Sequence, residues 1–218
     1  MQLNRVIHIN YSIQFLCSIV TLILNPITII NELRNTREDV QMNMILIHVA
    51  LDMWFAVAML AHTGCMLLQF ITEHHYPSFS LYSGAIFTST IVITSISDFY
   101  LVLDRYLALA FPVKYLRRLR SRTMLGCLVC SVSAAISVLI GCMYYNVASD
   151  NAVLLLHDLF HRSFIEYIFV LNNCIALTTF CGMVLLNIKL TKYNRTISSQ
   201  ITRPNCRRRV TGRSKDSI

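Results

Sequence analysis

Charge is what this chain has least of. Asp, Glu, Lys and Arg make up 14% of its 218 residues, whereas a soluble domain carries about 25%. With 55% hydrophobic residues and a mean hydropathy of +0.55, that shortfall excludes an ordinary soluble fold. Negative charge is the scarcer sign, at 11 acidic against 19 basic residues. The basic residues flank apolar runs and build no basic soluble domain, so no nucleic-acid partner is expected. Alternation with a period of two is also missing, which excludes barrel strands. There is no HExxH, no Gly-rich phosphate loop and no paired catalytic constellation, so neither an enzyme nor a cofactor is expected. One CxxC occurs, Cys127 and Cys130. It lies inside an apolar run with no second ligand pair, so we read it as packing and expect no metal.

What the chain does have is apolar length. Five segments are long enough to cross a bilayer: roughly 11–33, 42–70, 81–110, 123–146 and 164–192. Each holds about 20 or more mostly apolar residues. Backbone groups in lipid must be satisfied internally, so these are helices. The expected fold is an all-α membrane protein, with a helical domain over 1–192 and a basic, disordered cytoplasmic tail over 193–218.

Lys and Arg set the expected orientation. Arg34 and Arg37 lie between spans one and two, and Lys114, Arg117, Arg118, Arg120 and Arg122 between three and four. Nine more, from Lys189 to Lys215, lie at or beyond the end of span five. The other side has only Arg5 and Arg162. Positive charge stays inside, so the N-terminus is expected outside and the C-terminus in the cytoplasm. Seven of the eight cysteines fall within the spans and the eighth, Cys206, in the tail. No outer loop can therefore form a disulfide.

Polar residues inside the spans are costly and mark candidate sites. Span one carries Asn25, span two His48 and Asp52, and span three Thr94, Asp98 and Arg105. Asp98 follows Thr94 by four and precedes Arg105 by seven, which places all three on one helical stripe. A polar interior of Asn25, Asp52, Thr94 and Asp98 could bind a cation or move a proton. The other reading is a set of interhelical hydrogen bonds. His48 and His62 read as packing. In span four Gly126, Cys130, Ala134, Ser137 and Gly141 form a small-residue stripe that lets helices approach closely.

The strongest signal closes span three: Asp104-Arg105-Tyr106, then Pro112 seven residues past the Arg, then basic residues. Asn25 precedes Arg34 by nine residues, and Asp52 occupies the second span. In this order and spacing the chain resembles a rhodopsin-like (class A) G-protein-coupled receptor, and is similar to the nematode serpentine chemoreceptors. The resemblance implies a seven-span bundle, of which this chain supplies a five-helix portion, so a form truncated after the fifth span is expected. It implies a chemosensory receptor of the plasma membrane, with a heterotrimeric G protein and an unidentified small-molecule or peptide ligand as partners. It also implies roles for residues. Arg105 would contact the G protein, with Asp104 as its restraint, Tyr106 completing the motif and Pro112 in the adjoining inner loop. Asn25, Asp52 and Thr94 would map to an interior cation region, with Asp98 where the family carries an aliphatic residue. Ser80 stands where the family has a cysteine, span four lacks its tryptophan and span five its proline. Two other functions remain open: a non-signalling membrane subunit that associates with full-length receptors, and a transporter or channel using Asp52 and Asp98.

Overall fold

The computed structural model describes residues 2–35, 42–72, 74, 76–145 and 160–212. Arg37 and residues 146–159, expected from the sequence as an outer loop, lie outside the described residues. Among the described residues there are five long helices: α1 (Gln2–Asn35), α2 (Met42–Thr72), α3 (Pro77–Ala110), α4 (Arg120–Tyr144) and α5 (Arg162–Gly212). Each contains a stretch able to cross a membrane: Val6–Asn31, Met44–Thr72, Ser78–Ala110, Arg120–Tyr144 and Arg162–Arg195. The sequence-based spans agree in number and place. The last helix differs at its end. Residues beyond 192, expected as a disordered tail, continue α5 as helix to Gly212.

The break after α3 has a local cause. A proline disfavours helical backbone in the residue before it, and Phe111 accordingly leaves helical space at φ −138°, ψ 61°. Pro112 then starts a single helical turn, Pro112–Lys114. Proline suits that first position because its missing N–H would have had no partner there. A wider π-helical turn, Tyr115–Leu119, follows and leads directly into α4. The α3–α4 loop is therefore a continuous, wound segment.

Helix α3 is the axis of the bundle. It packs against α2, α4 and α5, whereas α1 packs on α2. A third of the most apolar window of α3 is buried, against 6% in α1. The apolar core lies in the half remote from Asp104. There Ile7, Tyr11, Met66, Ala85, Val92, Val138, Cys142, Phe160, Ile165 and Ile168 form one cluster drawn from all five helices.

Hydroxyls inside the spans are mostly satisfied within their own helix. Ser18, Thr63, Thr88, Thr123, Ser137 and Thr179 each donate to the carbonyl four residues back. This fold of the side chain lets a polar residue sit in an apolar medium without a neighbour.

The small-residue stripe of α4 lies where larger groups meet it. A Cβ on Gly126 would sit 3.3 Å from the Tyr100 ring, and one on Gly141 only 2.5 Å from the Phe164 ring. Phe164 is itself stacked on Tyr145 at 5.1 Å, so its ring has a neighbour to displace. Overpacking of this kind costs about 1–3 kcal/mol. We expect Gly141→Ala to lower the thermal unfolding midpoint in detergent, and Gly126→Ala to lower it less. Equal midpoints for Gly141→Ala and the native chain would contradict the packing described.

Candidate functional site

The end of α3 that carries Asp104-Arg105-Tyr106 is the best-built polar site in the described residues. Asp104 is 1% exposed. A carboxylate this deep needs a hydrogen bond, and the α3–α4 loop supplies one. Tyr115 donates its hydroxyl to Asp104 Oδ1 at 2.5 Å. The other oxygen, Oδ2, is buried without a hydrogen-bond partner. Tyr115 is itself buried. Burial and the bond to Asp104 push its phenol above the ordinary range, while the positive charges of Arg120 and Arg105 act the other way.

The sign of that shift matters for the loop. A raised tyrosine pKa favours the neutral, donating phenol. Its contribution is fully present below the unfolded value of about 10 and is lost only as pH rises through the higher folded value. Between about pH 6 and 8 the Tyr115–Asp104 bond is therefore expected to be insensitive to pH. An alkaline titration of the tyrosine absorbance should show a late-ionising component that Tyr115→Phe removes.

Tyr106 faces the other neighbour. Lys189 of α5 places its Nζ 4.7 Å from the Tyr106 ring centroid and 5.8 Å from that of Phe111. Cation–π contacts of this length contribute about 0.5–1 kcal/mol at exposed sites. Beside Tyr106, α3 and α5 enclose an apolar cleft of about 260 Å³, lined by Phe99, Val102, Leu103, Tyr106, Thr178, Cys181, Gly182 and Leu185. Arg105 is half-buried, and Pro112 is exposed on the loop. The motif thus has its Asp tied to the α3–α4 loop and its Tyr tied to α5.

The interior polar residues are distributed differently from the sequence expectation. Asp52 and Asp98 do come together, and His48 joins them. Its Nε2 lies 3.3 Å from Asp52 Oδ2 and 3.6 Å from Asp98 Oδ1. The other ring nitrogen, Nδ1, lies 3.1 Å from Ser97 Oγ. One imidazole therefore bridges α2 and α3, with ion pairs formed when it is protonated. Thr94 stays apart and donates to its own helix, at Thr90 O (3.1 Å) and Ile91 O (2.9 Å). Asn25 lies in α1, its Nδ2 buried without a hydrogen-bond partner. Among the described residues no group of three or more His, Cys, Asp or Glu is arranged to hold a metal ion.

Sequence reasoning read His48 as an interhelical hydrogen-bonding contact that fixes packing, and the bridge is such a contact; its partners Ser97 and Asp98 were not foreseen. The signal was present: His48 and Asp52 are four apart on one helical face. What the sequence lacked was the register of α2 against α3. Replacing His48 by Leu leaves two carboxylates facing each other. Polar contacts between membrane helices average about 0.6 kcal/mol and reach about 1.7. A double-mutant cycle on His48 and Asp98 is expected to give a coupling within that range. Strict additivity of the two changes would remove the bridge from the account.

The other end of α3 carries a second polar contact with α2. Ser80 is 1% exposed. It accepts a hydrogen bond from Gln69 Nε2 and lies 3.6 Å from Cys65 Sγ. Gln69 also donates to Cys65 Sγ at 3.5 Å. Three side chains thus join α2 and α3 at the position where a cysteine was expected from the resemblance. Seven cysteines are free thiols among the described residues. Asn172, in α5, accepts from Ser95 of α3, and Glu166 accepts from Arg162 at 2.7 Å one turn away. Both are thus engaged within the chain.

Five apolar spans around a central third helix, with Asp-Arg-Tyr at its end, define an integral membrane protein of the serpentine receptor class. The family model described as serpentine type 7TM GPCR chemoreceptor Srbc matches residues 3–208. The chain belongs to that family. No curated protein matches it.

Proposed function

We propose that this chain is a chemosensory receptor of the plasma membrane that passes a chemical signal to a heterotrimeric G protein. Its N-terminus faces outside and its C-terminus the cytoplasm, as the basic residues at the α3–α4 loop and the end of α5 favour. The observation that carries the reading is the placement of Asp104-Arg105-Tyr106 at the basic end of the central helix, within a chain that belongs to a chemoreceptor family.

The mechanism follows from the three side chains. Asp104 and Tyr115 hold the inner loop against α3. Lys189 holds the inner end of α5 against Tyr106. A ligand-driven shift of α5 or the loop loosens one of these ties and changes the surroundings of Arg105. The guanidinium keeps its charge in any state and offers a planar fork of donors. It then meets carbonyls or carboxylates of the G protein. Asp52, Asp98 and His48 couple α2 to α3 in the same half of the bundle, so they bear on the same movement.

The experiment is nucleotide exchange on a purified heterotrimeric G protein added to vesicles bearing the chain. Exchange above that of empty vesicles, raised by a chemical stimulus, supports the reading. Exchange equal to empty vesicles across several G-protein classes and a broad chemical panel would reject it.

A further inference from the structure

The inner loop carries a cavity that receptor coupling to a G protein does not require. It encloses about 390 Å³ and is lined by Val113, Lys114, Arg118, Leu119 and Arg122. Three of its five lining residues are cationic and none is acidic. Among the described residues none of the three cations has an ion-pair partner. Like charges held together without a counter-ion repel, so a fold that keeps them converging favours an anion between them.

The convergence is built into the backbone. Lys114, Arg118 and Arg122 follow one another at intervals of four residues, along the continuous run from the single turn through the π turn into α4. Residues four apart share a helical face. Tyr115, buried and bonded to Asp104, fixes which face turns inward. The three cations are left on the exposed side. The backbone that carries the three cations is thus wound before any anion arrives, which lowers the cost of binding.

Size and surroundings narrow the ligand. The volume lies in the range of about 300–1,000 Å³ usual for small-molecule sites and exceeds the need of one phosphate. Arginine matches phosphate oxygens with two parallel donors. Beside the cations, Phe111, Val113 and Leu116 are 50–65% exposed. Large apolar side chains next to a basic cluster at the end of a membrane span fit the boundary of headgroup and acyl chain.

We propose that Lys114, Arg118 and Arg122 form a binding site for a polyphosphorylated headgroup, presented by a phosphoinositide of the adjoining leaflet. The site pins the inner loop to the membrane on the face opposite the Tyr115–Asp104 bond. It rests on the proposed orientation only for which leaflet supplies the lipid.

The test uses the full chain in detergent, with bound lipids counted by native mass spectrometry. Both faces are accessible there, so the result does not depend on orientation or on G-protein coupling. Phosphatidylinositol bisphosphate is expected to bind at least tenfold more tightly than phosphatidylserine. Each basic residue near an anionic headgroup contributes about fivefold, so Arg118→Gln combined with Arg122→Gln should lower affinity by about 25-fold. Arg118→Lys should lose far less, and Arg162→Gln, at the other end of the bundle, nothing. A thermal melt of each variant separates lost binding from lost folding. Equal affinity for the two lipids, or binding unchanged in the double variant, overturns the site. Soluble inositol trisphosphate binding as tightly as the lipid would overturn the membrane as its source.

Discussion

Replacing Arg105 with Ala is expected to reduce G-protein nucleotide exchange by about 10- to 100-fold while leaving the chain folded. Hydrogen bonds to a charged group contribute about 1.5–3 kcal/mol, and each 1.4 kcal/mol is a factor of ten. Arg105 is half-buried near the end of α3, away from the apolar core that spans the five helices. Its loss should therefore change coupling far more than stability. Arg105→Lys keeps the charge and loses the planar fork, so it should recover only part of the exchange. Full exchange in Arg105→Ala would remove this residue from the coupling mechanism.

The second large effect is expected at Tyr115. Removing its hydroxyl in Tyr115→Phe leaves Asp104 1% exposed and without the hydrogen bond that its Oδ1 accepts. Its Oδ2 already lacks a hydrogen-bond partner. An orphaned buried polar group costs about 1–3 kcal/mol, and more when it is charged. Two consequences should appear together. The unfolding midpoint falls, and exchange without a stimulus rises because the loop is no longer held to α3. Asp104→Asn keeps an acceptor oxygen for Tyr115 and removes the charge. It should raise unstimulated exchange with a smaller loss of stability. If Tyr115→Phe loses neither stability nor restraint, the loop is held by other contacts.

The five helices were legible because the bilayer imposes a length rule that the sequence obeys almost without exception. Their ends were legible where a residue forces the backbone, as Pro112 does at Phe111. The end of α5 was not. Polar residues after 192 carry no breaker until Pro204, and the helix runs past both. The Asp104-Arg105-Tyr106 end was visible as a motif, but its partners were not. Tyr115 reads as one aromatic in a basic loop, and Lys189 as one more inward charge. Only the packing of α3 between the loop and α5 reveals that they contact Asp104 and Tyr106. The interior residues illustrate the same limit. Helical spacing placed Asp98 and Thr94 on one stripe, yet Thr94 can satisfy itself on its own backbone. Asp98 cannot, and meets His48.

The central claim is physical contact between this end of α3 and a G protein. A photo-crosslinking amino acid at position 112, exposed on the loop beside Arg105, tests it in membranes that also hold a heterotrimeric G protein. The account predicts an adduct to the C-terminal helix of the G-protein α subunit, formed in the nucleotide-free state and abolished by a non-hydrolysable GTP analogue. Adducts to lipid alone, or to the α subunit regardless of nucleotide, would contradict it.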